Sequence, residues 1–323
     1  MKQRQFEDLH RADWDALVAL LDGDTAAAPA LPARYRRLCQ CLALASQRGY
    51  SPALTDFLQS LVVACHKRLY GAVAERPHLL LRWLRYDLPR RVRAEWRLLL
   101  LALAAFWGVA LVCGLLVWWQ PHWAYSFLGA HELDGMRQMY QPSRIKLGRG
   151  GTEGDLQMFG FYIWHNVSIG FRTFAAGIFG GVPALLSLGL NGINLGVAGA
   201  WLSRDPGTRE MFWSFVVTHA SFEITGLILS ALAGMRMGLA LIHPGRLRRR
   251  HALLVASTAM YPVIVGGALL TMLAAFFEAF WSASSAYPAS VKYAVGAACW
   301  CAVIAFFTFA GRGAPPLDQH ATR

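Results

Sequence analysis

His219 and Glu223 lie at i and i+4 inside a long apolar run, so a helix presents both on one face. That spacing suits a hydrogen bond between imidazole and carboxylate, and equally two metal ligands. Ionisable side chains are rare at membrane depth and by default mark function. Within the apolar segments stand His165, Arg172, His219, Glu223, Arg236 and Glu278. Asn166 and Asn191 add uncharged polar groups. The expected intramembrane site is Asn166, Asn191, His219, Glu223 and Glu278, with His165 at similar depth. Three readings stay open: a satisfied structural network, a proton or ligand site, and a metal site. A metal needs a third ligand, for which only His165 and Glu278 are near. No metal is therefore expected. Arg236, near a helix end, is expected to snorkel to the interface. Arg172 sits mid-span and needs a partner.

Motifs for enzyme chemistry are missing. The chain has no G-x-x-x-x-G-K-[ST] phosphate loop, no G-x-S-x-G elbow and no H-E-x-x-H zinc motif. The glycine-rich Gly148–Gly154 stretch has no strand before it and is expected to be a linker. His10, His66 and His78 have no partners at ligand spacing. The cysteines form two C-x-C pairs, Cys39/Cys41 and Cys299/Cys301, with Cys65 and Cys113 apart. None has zinc-site spacing, and packing is their expected role. The expectation is a protein that is not an enzyme and holds no cofactor.

The elements that must position the polar groups follow from composition. The chain has 323 residues, 55% hydrophobic and 15% charged, against about 25% charged in soluble domains. Of its 31 Lys and Arg, 16 lie in the first 97 residues, directly before the first long apolar run. That placement favours an anionic membrane surface over nucleic acid as the partner of the net charge of +12. The N-terminus carries acidic residues and no apolar signal core, so the first span is expected to target the chain and remain.

The fold class expected is an all-α polytopic membrane protein: N-terminal cytoplasmic amphipathic helices, then six transmembrane helices. Residues 1–76 read as a cytoplasmic helical domain. Its helices cover about 3–22, with Phe6, Leu9, Trp14, Leu17, Leu20 and Leu21 on one face, about 32–48, and from Ser51-Pro52 to about Ala74. Residues 77–97 mix Leu and Trp with Arg82, Arg85, Arg90, Arg91 and Arg93, and read as an interfacial amphipathic elbow. Residues 98–310 hold the six spans, at about 98–119, 159–179, 184–202, 211–242, 252–280 and 292–310. Residues 311–323 form a cytoplasmic tail. Arg246, Arg248, Arg249 and Arg250 mark one turn as cytoplasmic, while 281–291 has no Lys or Arg, which puts both termini inside. The bacterial inner membrane is the expected location. The fourth and fifth spans exceed the bilayer core, so they must tilt, protrude or break, with Gly226, Gly234, Pro262 and Gly266-Gly267 as the weak points. Gly177-x-x-x-Gly181 and Gly192-x-x-x-Gly196 offer faces for close helix packing, within the chain or between copies in a homo-oligomer.

Several of these positions together are similar to one family. Asn166 is followed by Phe174-x-x-Gly177-x-x-Gly180-Gly181 and by Asn191-Gly192-x-x-Leu195-Gly196. His219-Ala220-Ser221-Phe222-Glu223 runs on to Gly226 and to Ala233-Gly234-Met235-Arg236-Met237-Gly238, and Ala274-Ala275-Phe276-Phe277-Glu278 closes the series. Over about 90–310 the chain resembles the stage II sporulation protein M family of bacterial membrane proteins. Ala220 and Ala279 stand where the family usually has glycine. The resemblance implies a non-enzymatic scaffold or assembly subunit of a membrane complex, with a MoxR-type AAA+ ATPase or envelope proteins as partners. The alternative is a transporter or channel subunit that uses the polar site.

Overall fold

The computed structural model describes residues 2–21, 31–70, 82–141 and 152–313. Two compact units divide the chain, Met1–Leu79 and Leu80–Arg323. Helix is the regular structure throughout, with no strand among the described residues.

The first unit packs three helices, α1 (Gln3–Leu21), α2 (Leu31–Gln47) and α3 (Pro52–Tyr70). Phe6, Trp14, Leu17 and Leu20 of α1 meet Leu38 and Cys41 of α2 and Leu58, Leu61 and Cys65 of α3 in one core. Leu9 breaks the expected face: it is 66% exposed, a turn away from the buried stripe. Gln3 docks α1 on the start of α3, donating from Nε2 to Ser51 Oγ (2.8 Å) and accepting from the Ser51 backbone N–H (2.9 Å). Burial pushes the Cys41 and Cys65 thiols upward from their ordinary value. The end of the third helix expected past Tyr70, and the elbow before Arg82, lie outside the described residues.

In the second unit, a π-helical turn (Trp83–Asp87) leads into α4 (Leu88–Ala94). The backbone bends at Glu95 (φ −98°, ψ 33°) and enters the long helix α5 (Trp96–Trp119). The described part of the expected elbow begins at Arg82 and packs on the bundle. Its apolar side faces protein: Leu88 and Val92 are buried with Leu229, Leu232, Met260 and Val263. Arg93 does not reach for headgroups either. Its guanidinium donates to the Phe307 and Ala310 carbonyls, both at 2.7 Å, at the end of the last helix. Those carbonyls lack intrahelical partners, which makes them strong acceptors. Arg82 and Arg85 are exposed, and Arg90 and Arg91 are half-buried.

After two short helical turns, Pro121–Trp123 and Ala124–Phe127, come α6 (Ala130–Met139), α7 (Thr152–Gly177), α8 (Val182–Leu202), α9 (Pro206–Ile242), α10 (Arg249–Ser282) and α11 (Ala289–Phe309). Among the described residues five helices are long and apolar enough to cross a membrane: α5, α8, α9, α10 and α11. Large apolar side chains stay exposed along them, such as Leu111, Leu190, Leu254 and Ile304, as a lipid solvent allows. Helix α7 has 26 residues, but Glu153, Asp155, His165, Asn166, Ser168 and Arg172 dilute its apolar content. The expected linker at Gly148–Gly154 survives only in part. Thr152 already opens α7, and 148–151 lie outside the described residues.

Helix α9 is the hub, with 72% of its most apolar window buried against 17% for α11. Asp205 caps it by accepting from the Gly207 N–H (3.1 Å), and Pro206 opens its first turn. Its 37 residues run unbroken. At 1.5 Å per residue they exceed a bilayer core of about 30 Å, so the helix tilts or protrudes. Gly226 and Gly234 are not the weak points expected, because they serve as contact surfaces. A Cβ on Gly226 would stand 2.8 Å from the Gly267 carbonyl oxygen, and one on Gly177 would stand 2.6 Å from the Gly234 carbonyl carbon. Gly192 and Gly196 take the backbone of α5 at Phe106 and Ala110 in the same way. These glycine faces are thus occupied within the chain rather than left for a second copy. Between α7 and α8, Gly180 (φ 85°) and Gly181 (φ 87°) make a turn that side chains with a Cβ would strain.

Candidate functional site

The last turn of α10 is π-helical, from Phe277 to Ser282. Such turns widen the helix and occur often at functional sites. Here the turn carries two polar groups toward its neighbours. Glu278 Oε2 accepts from Asn166 Nδ2 of α7 at 3.2 Å, and Ser282 Oγ lies 3.1 Å from His219 Nδ1 of α9. On the other side of the imidazole, His219 Nε2 is 3.9 Å from Glu223 Oε2, one turn along α9. That is outside hydrogen-bonding range. His219 is 5% exposed and Asn166 6%. Ligand-type atoms of His219, Glu223 and Glu278 all lie within 4.8 Å of one another. Three helices distant in sequence thus bring four of the five expected residues together: Asn166, His219, Glu223 and Glu278.

Asn191 is placed differently. Its Nδ2 donates to the Ser187 carbonyl of its own helix (2.8 Å), and it lines the far wall of a cavity of 330 Å³. His219 and Glu223 line the near wall, with Asn194 beside Asn191. Glu223 keeps a third of its side chain accessible, into this space. Met136, Met139 and Tyr140 close one side. Tyr140 packs edge-on against Phe212 (5.3 Å), and Phe215 packs edge-on against His219 (5.1 Å). Burial first, and then the charge of Glu278, push the Tyr140 hydroxyl up from its ordinary value. Tyr140 therefore stays a protonated donor across the neutral range.

His165 does not join the cluster. It is exposed on a different face of α7, stacked on Phe161 at 5.6 Å, and shares a groove with Trp164, Phe171 and Arg172. Arg172 bonds along its own helix, Nε donating to the Ser168 carbonyl (3.2 Å). Arg236 does not snorkel: its Nε donates to Glu95 Oε1 at 2.7 Å, and Glu95 sits at the bend before α5.

Other contributors had weaker signals in the sequence. Asn194 lies three residues after Asn191 on the same helix face, a cue that was available. Ser282 sits four residues after Glu278, but its position depends on the π-helical turn, which spacing does not announce. Lys292 is buried at the start of α11 and donates from Nζ to the Ser282 carbonyl (2.8 Å). Tyr140 had no cue, since α6 lies in what reads as a loop.

Comparison with known proteins covers both units. The family model described as Stage II sporulation protein M matches residues 98–283, which include every residue of the cluster and of the cavity wall. A second model, described as a Domain of unknown function (DUF8413), matches residues 4–71. No curated protein and no solved structure matches the chain.

Proposed function

The chain belongs to the stage II sporulation protein M family, and from that premise we propose that it is a non-enzymatic scaffold or assembly subunit of a complex in the bacterial inner membrane. In this reading α7 joins the five strongly apolar helices as a sixth span. Both termini are cytoplasmic, and α1–α3 form a cytoplasmic docking unit. The observation that carries the reading is the separate core of residues 1–79. A unit that closes its own core has its outer surface available for a partner, and Leu9, Phe57 and Val63 remain exposed on it. The partner class that fits is a cytoplasmic ATPase of the MoxR type, or an envelope protein held by the membrane body. A homo-oligomer would have to use surfaces other than the occupied glycine faces.

The test is affinity purification of the full chain from native membranes beside a chain lacking residues 1–79. Co-purification of one defined protein with the full chain, lost on deletion, supports the scaffold. Recovery of this chain alone from both removes it.

One observation favours a second reading, a transporter or channel subunit. The 330 Å³ cavity joins Asn191 and Asn194 to His219 and Glu223, as a polar pathway needs. Flux in proteoliposomes that Glu223→Gln abolishes, with folding retained, would favour it over the scaffold.

A further inference from the structure

We propose that His219, Glu223 and Glu278 bind a divalent transition-metal ion of the zinc class, held between α9 and α10. Nothing in the family match assigns such a site, and the inference does not depend on the scaffold reading.

Geometry comes first. One imidazole nitrogen and two carboxylate oxygens lie mutually within 4.8 Å. Ligand atoms about 2.0–2.2 Å from a zinc-class ion sit closer together than that. Closing to that spacing takes side-chain rotation, for which Glu223 has room in the cavity.

The second argument is the aim of His219. His219 is 5% exposed, and its Nε2 stands 3.9 Å from Glu223 Oε2, beyond hydrogen-bonding range. When Nδ1 donates to Ser282 Oγ, Nε2 keeps an unprotonated lone pair, 3.9 Å from the Glu223 carboxylate. That tautomer binds metals, and a partner on the other nitrogen is what usually fixes it. Glu278 is oriented in the same fashion by Asn166.

The third argument is charge. Two carboxylates side by side at membrane depth need compensation. Lys292 Nζ is on the Ser282 carbonyl, Arg236 is on Glu95, and Arg172 lies on another face of α7. One dication balances both carboxylates at once. Nitrogen with carboxylate oxygen suits zinc, manganese or iron better than calcium, which takes oxygen alone. Water from the cavity completes the coordination, so the site has three protein ligands and one open position.

The experiment uses the full chain in lipid nanodiscs, stripped with chelator and dialysed against Zn²⁺ alone, with bound metal measured by elemental analysis. Co²⁺ in place of Zn²⁺ reports the donor set through its visible absorption. The expected result is about one ion per chain, with loss of binding in Glu223→Gln and Glu278→Gln. Asn166→Ala should weaken affinity by about 10–100-fold. His165→Ala, outside the cluster, should bind as the parent does. Glu223→Gln is the informative variant, because among the described residues the side chain makes no hydrogen bond, and glutamine keeps its size. Zn²⁺ should raise the thermal midpoint of the parent and leave that of Glu223→Gln unmoved. Failure of the stripped parent to take up Zn²⁺ overturns the site, as does equal uptake by the parent and Glu223→Gln.

Discussion

Arg236 of α9 and Glu95 at the mouth of α5 form an ion pair with Nε and Oε1 2.7 Å apart. It fastens the bend between elbow and first long helix to the hub of the fold. Both side chains are partly exposed, at 39% and 23%, so its contribution is modest beside that of a fully buried pair. Arg236→Ala and Glu95→Ala should each lower stability, and a double-mutant cycle should return a coupling of about 0.5–3 kcal/mol. Thermal unfolding in detergent measures it. Strict additivity would mean the two side chains act separately.

Substitutions at glycine should separate contact positions from open ones. A Cβ at Gly192 would fall 2.5 Å from the Phe106 carbonyl oxygen, whereas at Gly189 the nearest atom is 3.9 Å away. Gly192→Ala should cost about 1–3 kcal/mol through overpacking. Gly189→Ala should be neutral or stabilise by up to about 1 kcal/mol through helix propensity. Unfolding midpoints of the two variants decide, and a reversed order would mean that α5 and α8 do not pack as described.

Cys41 and Cys65 should resist alkylation in the native chain. Burial raises both thiols, so less thiolate is present at a given pH than for a free cysteine. The sign for stability follows. The folded state prefers the neutral thiol, so the benefit is complete below the ordinary thiol value and is lost as pH rises through the raised one. Residues 1–79 should therefore weaken in alkaline buffer. Mass spectrometry after iodoacetamide treatment should show both cysteines unmodified natively and modified in urea; stoichiometric native labelling would contradict the core of α1–α3.

The six-span arrangement has a direct check. Leu247 and Ser285 are both exposed, in the turns before and after α10. With single cysteines at these positions, an impermeant maleimide should label Ser285→Cys from outside the cell and Leu247→Cys only after lysis. Labelling of both from outside would reverse the orientation and remove the cytoplasmic docking unit.

Much of this was legible because long apolar runs, turn glycines and i,i+4 pairs are local features. Helices expected at about 3–22, 184–202 and 292–310 occur at Gln3–Leu21, Val182–Leu202 and Ala289–Phe309. The closeness of Asn166, His219 and Glu278 was inferred from depth alone. Depth cannot tell which side of a helix faces inward, and His165 failed for that reason while its neighbour Asn166 did not. Arg93, Arg236 and Glu95 were obscured because a basic residue near a membrane surface has two outlets, headgroup or carbonyl and carboxylate, and only the tertiary fold selects. Helix α6 was hidden because its ten residues bury few side chains beyond Leu133.

The central position of α9 has a consequence for how the protein is made. Synthesis runs from the N-terminus, so α9 is complete before α10 and α11 exist to cover it. In that interval His219 lacks Ser282, and Glu223 has not yet met Glu278. A nascent chain at this stage shows acidic and imidazole groups to lipid or to whatever holds it in the membrane. Truncations ending ahead of Arg249 should therefore be substrates for membrane quality-control proteases, and assembly should hinge on the arrival of the fourth strongly hydrophobic stretch, α10, rather than the first.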